Sequence, residues 1–129
     1  MAMKLEMLLA ALPEAAVRGN PAREIAGLAC DSRQVRPGDL FIAVPGRACD
    51  GAAFATDAVA KGAAAVVSAA PLPGIRTVPV IRVADARAAL ARLAIVFHGD
   101  PGARLRLVGV TGTNGKTTVS YLLRDLLET

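Results

Sequence analysis

The sequence predicts an α/β fold, and three observations predict it. Apolar runs of strand length at residues 25–30, 40–44, 63–68 and 78–83 are interleaved with segments of helical period. A last apolar run, 105–110, passes through a glycine-rich loop into an amphipathic segment, 117–127. Hydrophobic residues make up 53% of the 129, enough for a packed core and too many for a disordered chain.

Each element has a local reason. Leu5, Leu8, Leu9 and Leu12 share one helical face between residues 4 and 12, and Pro13 stops it. Residues 25–30 read as a strand with Asp31-Ser32-Arg33 at its polar end, and Pro37-Gly38-Asp39 as a turn. Pro45-Gly46 closes the run at 40–44. Asp50-Gly51 precedes a helix that turns Phe54, Ala58 and Val59 inward and ends near Gly62. Pro79 places the strand at 78–83 at a sheet edge. Asp85 is an N-cap for a helix carrying Leu90, Leu93, Ala94 and Phe97 at i, i+3, i+4 and i+7. Gly99-Asp100-Pro101-Gly102 breaks the chain and is the expected domain boundary. Val119, Leu122, Leu123, Leu126 and Leu127 form the apolar face of the last helix. A parallel strand at 105–110 needs neighbours and helical cover that the residues after it do not supply, so a whole first domain and the opening of a second are expected.

Charge and composition narrow the partners. The net charge is +4, but aromatics are 3% and the arginines are spread out, which argues against a base-stacking nucleic-acid platform. A mild positive balance suits a phosphorylated small substrate. No run of 18 apolar residues lacks a charge, and Glu6 interrupts any leader-like start, so no membrane insertion and a cytoplasmic location are expected. Cys30 and Cys49 have no metal-ligand spacing and read as reduced thiols.

The motif with the most chemistry is the loop Gly109-Val110-Thr111-Gly112-Thr113-Asn114-Gly115-Lys116-Thr117-Thr118. A loop that wraps phosphates turns successive backbone N–H groups inward, which favours Gly112 and Gly115. Lys116 supplies a charge for β- and γ-phosphates, the Thr117 hydroxyl a ligand for Mg²⁺, and the following helix its N-terminal dipole. Val110 stands where the strict G-x-x-x-x-G-K-[ST] pattern has glycine, so this is a variant G-T-x-G-K-T loop. The bland alternative is a glycine-rich turn with an exposed Lys116. ATP with Mg²⁺ is the expected cofactor set. Upstream, three strings carry strand ends and helix starts where an α/β sheet binds anions: Asp31-Ser32-Arg33, the run 38–43, and the run 46–51. Each also reads as a surface pair or a plain cap and turn. His98 reads as a helix C-cap and Tyr121 as a surface or packing residue.

Taken in order, D-S-R, G-D-L-F-x-A, G-x-x-x-D-G and T-G-T-N-G-K-T-T resemble the Mur ligases of peptidoglycan synthesis over nearly the whole chain. Thr113-Asn114 is closer to the members that add the third amino acid to UDP-N-acetylmuramoyl-L-alanyl-D-glutamate than to those that add D-alanyl-D-alanine. The resemblance implies an N-terminal UDP-sugar-binding domain, residues 1–100, then the first strand, phosphate loop and helix of a central ATPase domain, residues 101–129. It implies UDP-sugar contacts at Cys30 (through backbone), Ser32, Arg47, Ala48 and Cys49, with Arg47 where many members have histidine. Asp31 and Arg33 would fix the strand end. ATP would be held by Gly112, Thr113, Asn114, Gly115, Lys116, Thr117 and Thr118, with Lys116 catalytic and Thr117 on the metal. The implied reaction is acyl phosphorylation of the substrate carboxylate followed by amine attack, in a monomeric enzyme acting on small molecules and not on nucleic acid. This chain alone is expected not to complete it. The resemblance implies that the determinants for diaminopimelate or lysine, the second-metal ligands and the amino-acid site would lie downstream of Thr129. The alternatives are a D-alanyl-D-alanine-adding ligase, a non-catalytic nucleotide- or UDP-sugar-binding module, and an unrelated regulatory phosphate-loop protein.

Overall fold

The computed structural model of the chain describes residues 1–47 and 50–128. In chain order, β1 (Met3–Lys4) leads into α1 (Leu5–Leu9), followed by β2 (Ala16–Arg18), β3 (Glu24–Ile25), β4 (Gly27–Ala29) and β5 (Asp39–Ala43). A 3₁₀ turn at Gly51–Phe54 opens α2 (Ala55–Ala60); β6 (Ala65–Ser68), β7 (Val80–Arg82), α3 (Ala86–His98) and α4 (Lys116–Leu127) follow. The main sheet runs β2-β7-β6-β5-β4. Its last four strands are parallel and β2 is antiparallel to β7. β1 and β3 form a separate antiparallel pair.

Side-chain alternation divides the core into two layers. Leu40, Ile42, Val67 and Ile81 point to one face and pack with α1 and α3 through Leu5, Leu8, Leu93 and Phe97. Phe41, Ala43, Val66 and Val80 point to the other face and meet Ala55 and Ala58 of α2. The parallel strands are thus buried on both sides, which is why they read as continuous apolar runs. Removing a side chain the size of Leu93 from water contributes roughly 1.5–3 kcal/mol.

Several expectations need correction. α1 spans Leu5–Leu9 and gives way to turns before Pro13. The strand at 25–30 is two strands: Ile25 pairs with Met3, and the chain crosses into the main sheet at Ala26, whose N–H donates to the Gly38 carbonyl at 2.9 Å. β7 is interior, because β2 covers its free side from Val80 onward; Pro79 lies one residue before that register and loses no donor. Phe54 is exposed and Val59 half-buried, while Ala55 and Ala58 fill the inner face of α2. Residues 105–110 form no strand, since a parallel strand takes its hydrogen bonds from neighbours and none pairs with it among the described residues. The apolar face of α4 is correspondingly uncovered: Val119, Leu122, Leu126 and Leu127 are exposed and Leu123 is half-buried.

Asp85 caps α3 as its sequence position predicts, accepting from the N–H groups of Arg87 and Ala88 at 2.9 and 3.1 Å. Gly99 ends that helix with φ 71°. His98 is exposed in the last turn, and its ring stands edge-on to Phe97, with centroids 5.3 Å apart.

Candidate functional site

The parallel strands β4 and β5 end side by side, and their C-terminal ends open onto a cavity of about 440 Å³. One wall is the turn Cys30-Asp31-Ser32-Arg33 that leaves β4; the other comprises Val44, Gly46 and Gly51, with Phe41 and Phe54 below. A larger hollow of about 820 Å³ continues along β4 and shares Cys30, Asp31 and Arg33. Placement beyond the carboxyl ends of parallel strands is where open α/β sheets bind ligands.

The Asp31-Ser32-Arg33 turn is built by its own side chains. The Asp31 carboxylate accepts from the Arg33 backbone N–H at 2.9 Å and from its guanidinium at 3.0 and 2.7 Å. The Arg33 side chain holds the Asp31 carboxyl down to about 2. This geometry fits the structural role expected of the pair. Ser32 is buried. Its carbonyl accepts from the Lys61 ammonium at 2.9 Å, and Lys61 pairs with Asp57 of α2 at 2.9 Å. The Lys61 ammonium holds the Asp57 carboxyl below the usual range, with a smaller contribution from Ser32. Cys30 is an exposed free thiol.

The opposite wall depends on a close approach. A Cβ on Gly51 would lie 2.6 Å from the Val44 carbonyl oxygen and 2.8 Å from Ala43 C and Val44 N. Only glycine lets the 3₁₀ turn, capped by Asp50 on the Ala52 N–H at 3.0 Å, sit against the end of β5. Arg87 of α3 donates to the Pro45 carbonyl at 3.0 Å. Arg47 is exposed beside this wall; Ala48 and Cys49 lie outside the described residues. The G-D-L-F string proves structural at its polar end: Asp39 is buried, and its carboxylate accepts from the Arg36 N–H at 2.9 Å.

The second candidate region is the loop 109–115, exposed except at the half-buried Val110. Gly112 and Gly115 adopt φ 145° and 78°, and Gly115 stands at the N-cap of α4 with no side chain bonded to the helix end. The donors of the first turn, which begins at Lys116 and Thr117, are therefore available to an anion. Lys116, Thr117 and Thr118 are exposed. Among the described residues, no group of three His, Cys, Asp or Glu side chains could hold a metal, so Thr117 brings a single hydroxyl. No helix among them is long and apolar enough to cross a membrane.

A family model described as "Mur ligase family, catalytic domain" matches residues 24–98 of the 129, which takes in the four parallel strands of the main sheet and both cavity walls. The chain belongs to the Mur ligase family. This Mur ligase chain is 48% identical over 128 residues to the UDP-N-acetylmuramoyl-L-alanyl-D-glutamate–2,6-diaminopimelate ligase of Gloeobacter violaceus, covering 98% of the chain and 26% of that protein. It is 49% identical over 127 residues to the UDP-N-acetylmuramyl-tripeptide synthetase of a Roseiflexus species, covering 98% and 25%. It therefore spans about a quarter of the length of the curated relatives it matches. Among solved structures it resembles the D-alanyl-D-alanyl-adding ligase of Acinetobacter baumannii, with TM-score 0.75 and 28% identity over 99% of this chain and 28% of that one. It also resembles the MurF ligase of Thermotoga maritima in complex with ADP, with TM-score 0.59 and 32% identity over 78% and 23%.

Sequence reasoning missed the aromatic floor of Phe41 and Phe54 and the two cations, Lys61 and Arg87, that reach the walls. Nothing in the local pattern around Lys61 or Arg87 marks a contact made 29 or 42 residues away.

Proposed function

We propose that this chain is the N-terminal part of an ATP-dependent ligase that adds the third amino acid to UDP-N-acetylmuramoyl-L-alanyl-D-glutamate. Residues 1–100 form the UDP-sugar domain and 101–129 begin the ATPase domain. The observation that carries the reading is the cavity at the ends of β4 and β5, whose walls are the strings that resemble the family's substrate site. The third-residue assignment is supported by 44–49% identity to ligases and synthetases of that step, against 28–32% to the two D-alanyl-D-alanine-type structures described above.

In this reading the nucleotide-sugar enters the cavity against the backbone of Cys30 and the side chain of Ser32. Arg47, Ala48 and Cys49 are its further contacts, Arg47 at the diphosphate or its neighbourhood. The loop 109–118 holds ATP: Gly112 to Gly115 present backbone donors, Lys116 neutralises charge on the transferring phosphoryl group, and Thr117 and Thr118 add hydroxyls, Thr117 toward Mg²⁺. Magnesium would supply charge neutralisation between the phosphates. The phosphoryl group passes to the D-glutamyl carboxylate, and an incoming amine then displaces phosphate. The protein's part in the first step is positioning and charge stabilisation. The uncovered face of α4 supports placing it in a second domain, whose sheet would cover it. The test is a titration of UDP-N-acetylmuramoyl-dipeptide into the chain followed by amide NMR. Shifts at Ser32, Val44 and Gly46 are expected; silence there at millimolar ligand refutes the site.

A further inference from the structure

Both walls of the cavity are loops, and each is tied to a distant helix through a backbone carbonyl, the first also through a hydrogen bond from the Ser32 side chain to Asp57. Lys61, the C-cap of α2, donates to the Ser32 carbonyl at 2.9 Å. Arg87, in the first turn of α3, donates to the Pro45 carbonyl at 3.0 Å. The helices pack on opposite faces of the sheet, so the two tethers approach the cavity from opposite sides. The remaining backbone bonds of these walls are local, such as Gln34 N–H to Asp31 O at 3.0 Å and Val44 N–H to Ile42 O at 2.9 Å. Local bonds shape a turn but do not set its distance from the turn opposite.

The placement of Arg87 is informative. A cation in the first turn of a helix opposes the helix dipole, so its charge does not serve α3 itself. Its guanidinium instead reaches across 42 residues of chain to the loop that carries Gly46 and Arg47. Lys61 is pinned by Asp57, four residues before it, so that its ammonium meets the Ser32 carbonyl in a fixed direction.

We propose that Lys61 and Arg87 are positioning residues for the nucleotide-sugar, setting the width of the cavity by holding its two walls to the helices. The proposal rests on the reading of this cavity as the UDP-sugar site. Neither side chain touches the ligand; each acts through the wall it holds.

The test uses the 129-residue chain with UDP as probe, read by amide NMR, in the wild type and in Lys61→Met, Arg87→Met, Lys61→Arg and Arg87→Lys. The wild type should show UDP shifts at Ser32, Val44 and Gly46. Each methionine variant should bind about fivefold more weakly, with β5 and β6 amides unmoved and the thermal midpoint within a few degrees. The arginine and lysine replacements, which keep a donor for the carbonyl, should restore most of the affinity. A structural role alone would lower the midpoint without this split between charge-keeping and charge-removing variants. If the wild type gives no cavity shifts, the site reading itself fails and the proposal with it. If the wild type binds and the methionine variants bind equally well, the proposal alone is overturned. Failure of a methionine variant to fold would show its tether to be structural and overturn it as well.

Discussion

Replacing Gly51 by alanine should damage the cavity wall and the stability of the sheet together. The added methyl group would stand 2.6 Å from the Val44 carbonyl oxygen and 2.8 Å from Ala43 C and Val44 N. All three are main-chain atoms at the end of the buried strand β5, so no rotamer change relieves the overlap. The 3₁₀ turn has to lift away from the strand. Overpacking of this kind costs roughly 1–3 kcal/mol. For a chain of this size that lowers the thermal midpoint by roughly 3–15 °C. Gly74→Ala is the control: its Cβ would meet nothing within 4 Å, and no left-handed φ is recorded there. It should be neutral or stabilise by roughly 0.4–1 kcal/mol through the unfolded chain. Thermal melts followed by circular dichroism, with a UDP titration of each variant at 10 °C, measure both effects. A Gly51→Ala midpoint within a degree of wild type, with UDP affinity unchanged, would refute the argument that close approach at residue 51 builds this wall.

Two further outcomes test the charged groups. Lys116→Ala in the full-length ligase should lower ligation by roughly 10²–10³ while leaving UDP-substrate binding nearly intact, because the proposed mechanism makes Lys116 a donor to the transferring phosphoryl group; steady-state rates and substrate calorimetry read the two separately, and wild-type ligation would remove Lys116 from the mechanism. The Asp31 carboxyl, held down by Arg33 to about 2 against an ordinary 3.8, should titrate near that lower value by carboxyl-carbon NMR. Its folded value is depressed, so the pair's contribution is fully present above the unfolded range and disappears as pH falls through about 2. Arg33→Ala should bring the midpoint back toward 3.8, and an unmoved midpoint would contradict the pairing as its cause.

The parts of the fold legible in the sequence were those fixed by local chemistry. Asp85 was readable as a cap because a carboxylate there meets the free N–H groups of Arg87 and Ala88. The runs around Phe41 and Val66 were readable because strands buried on both faces have no polar alternation to disguise them. The strand misreadings share one cause, pairing between distant residues. Ala16–Arg18 carries no strand signal of its own and becomes β2 only because Ile81 and its neighbours offer an unpaired edge. The same missing knowledge put Pro79 at an edge that β2 in fact covers. Ala26 looked like mid-strand, yet it is where the chain leaves one sheet for another, a change set by β1 and β5 rather than by any residue nearby.

The candidate site divides along the same line. Asp31, Ser32 and Arg33 could be selected from the sequence because their order carries family information, but their physical roles differ and needed coordinates to separate. Asp31 and Arg33 spend their charges on each other, while Ser32 is turned inward and held by its carbonyl. Phe41 and Phe54, outside this string in sequence, line the same cavity. Its two walls are joined to the helices by the Lys61 and Arg87 hydrogen bonds, long-range contacts that sequence patterns do not reveal. The loop at 109–115 is the opposite case: its glycine conformations and open helix end follow from neighbouring residues alone. A candidate phosphate loop is therefore legible from its own residues, whereas the candidate cavity at the ends of β4 and β5 required the whole sheet.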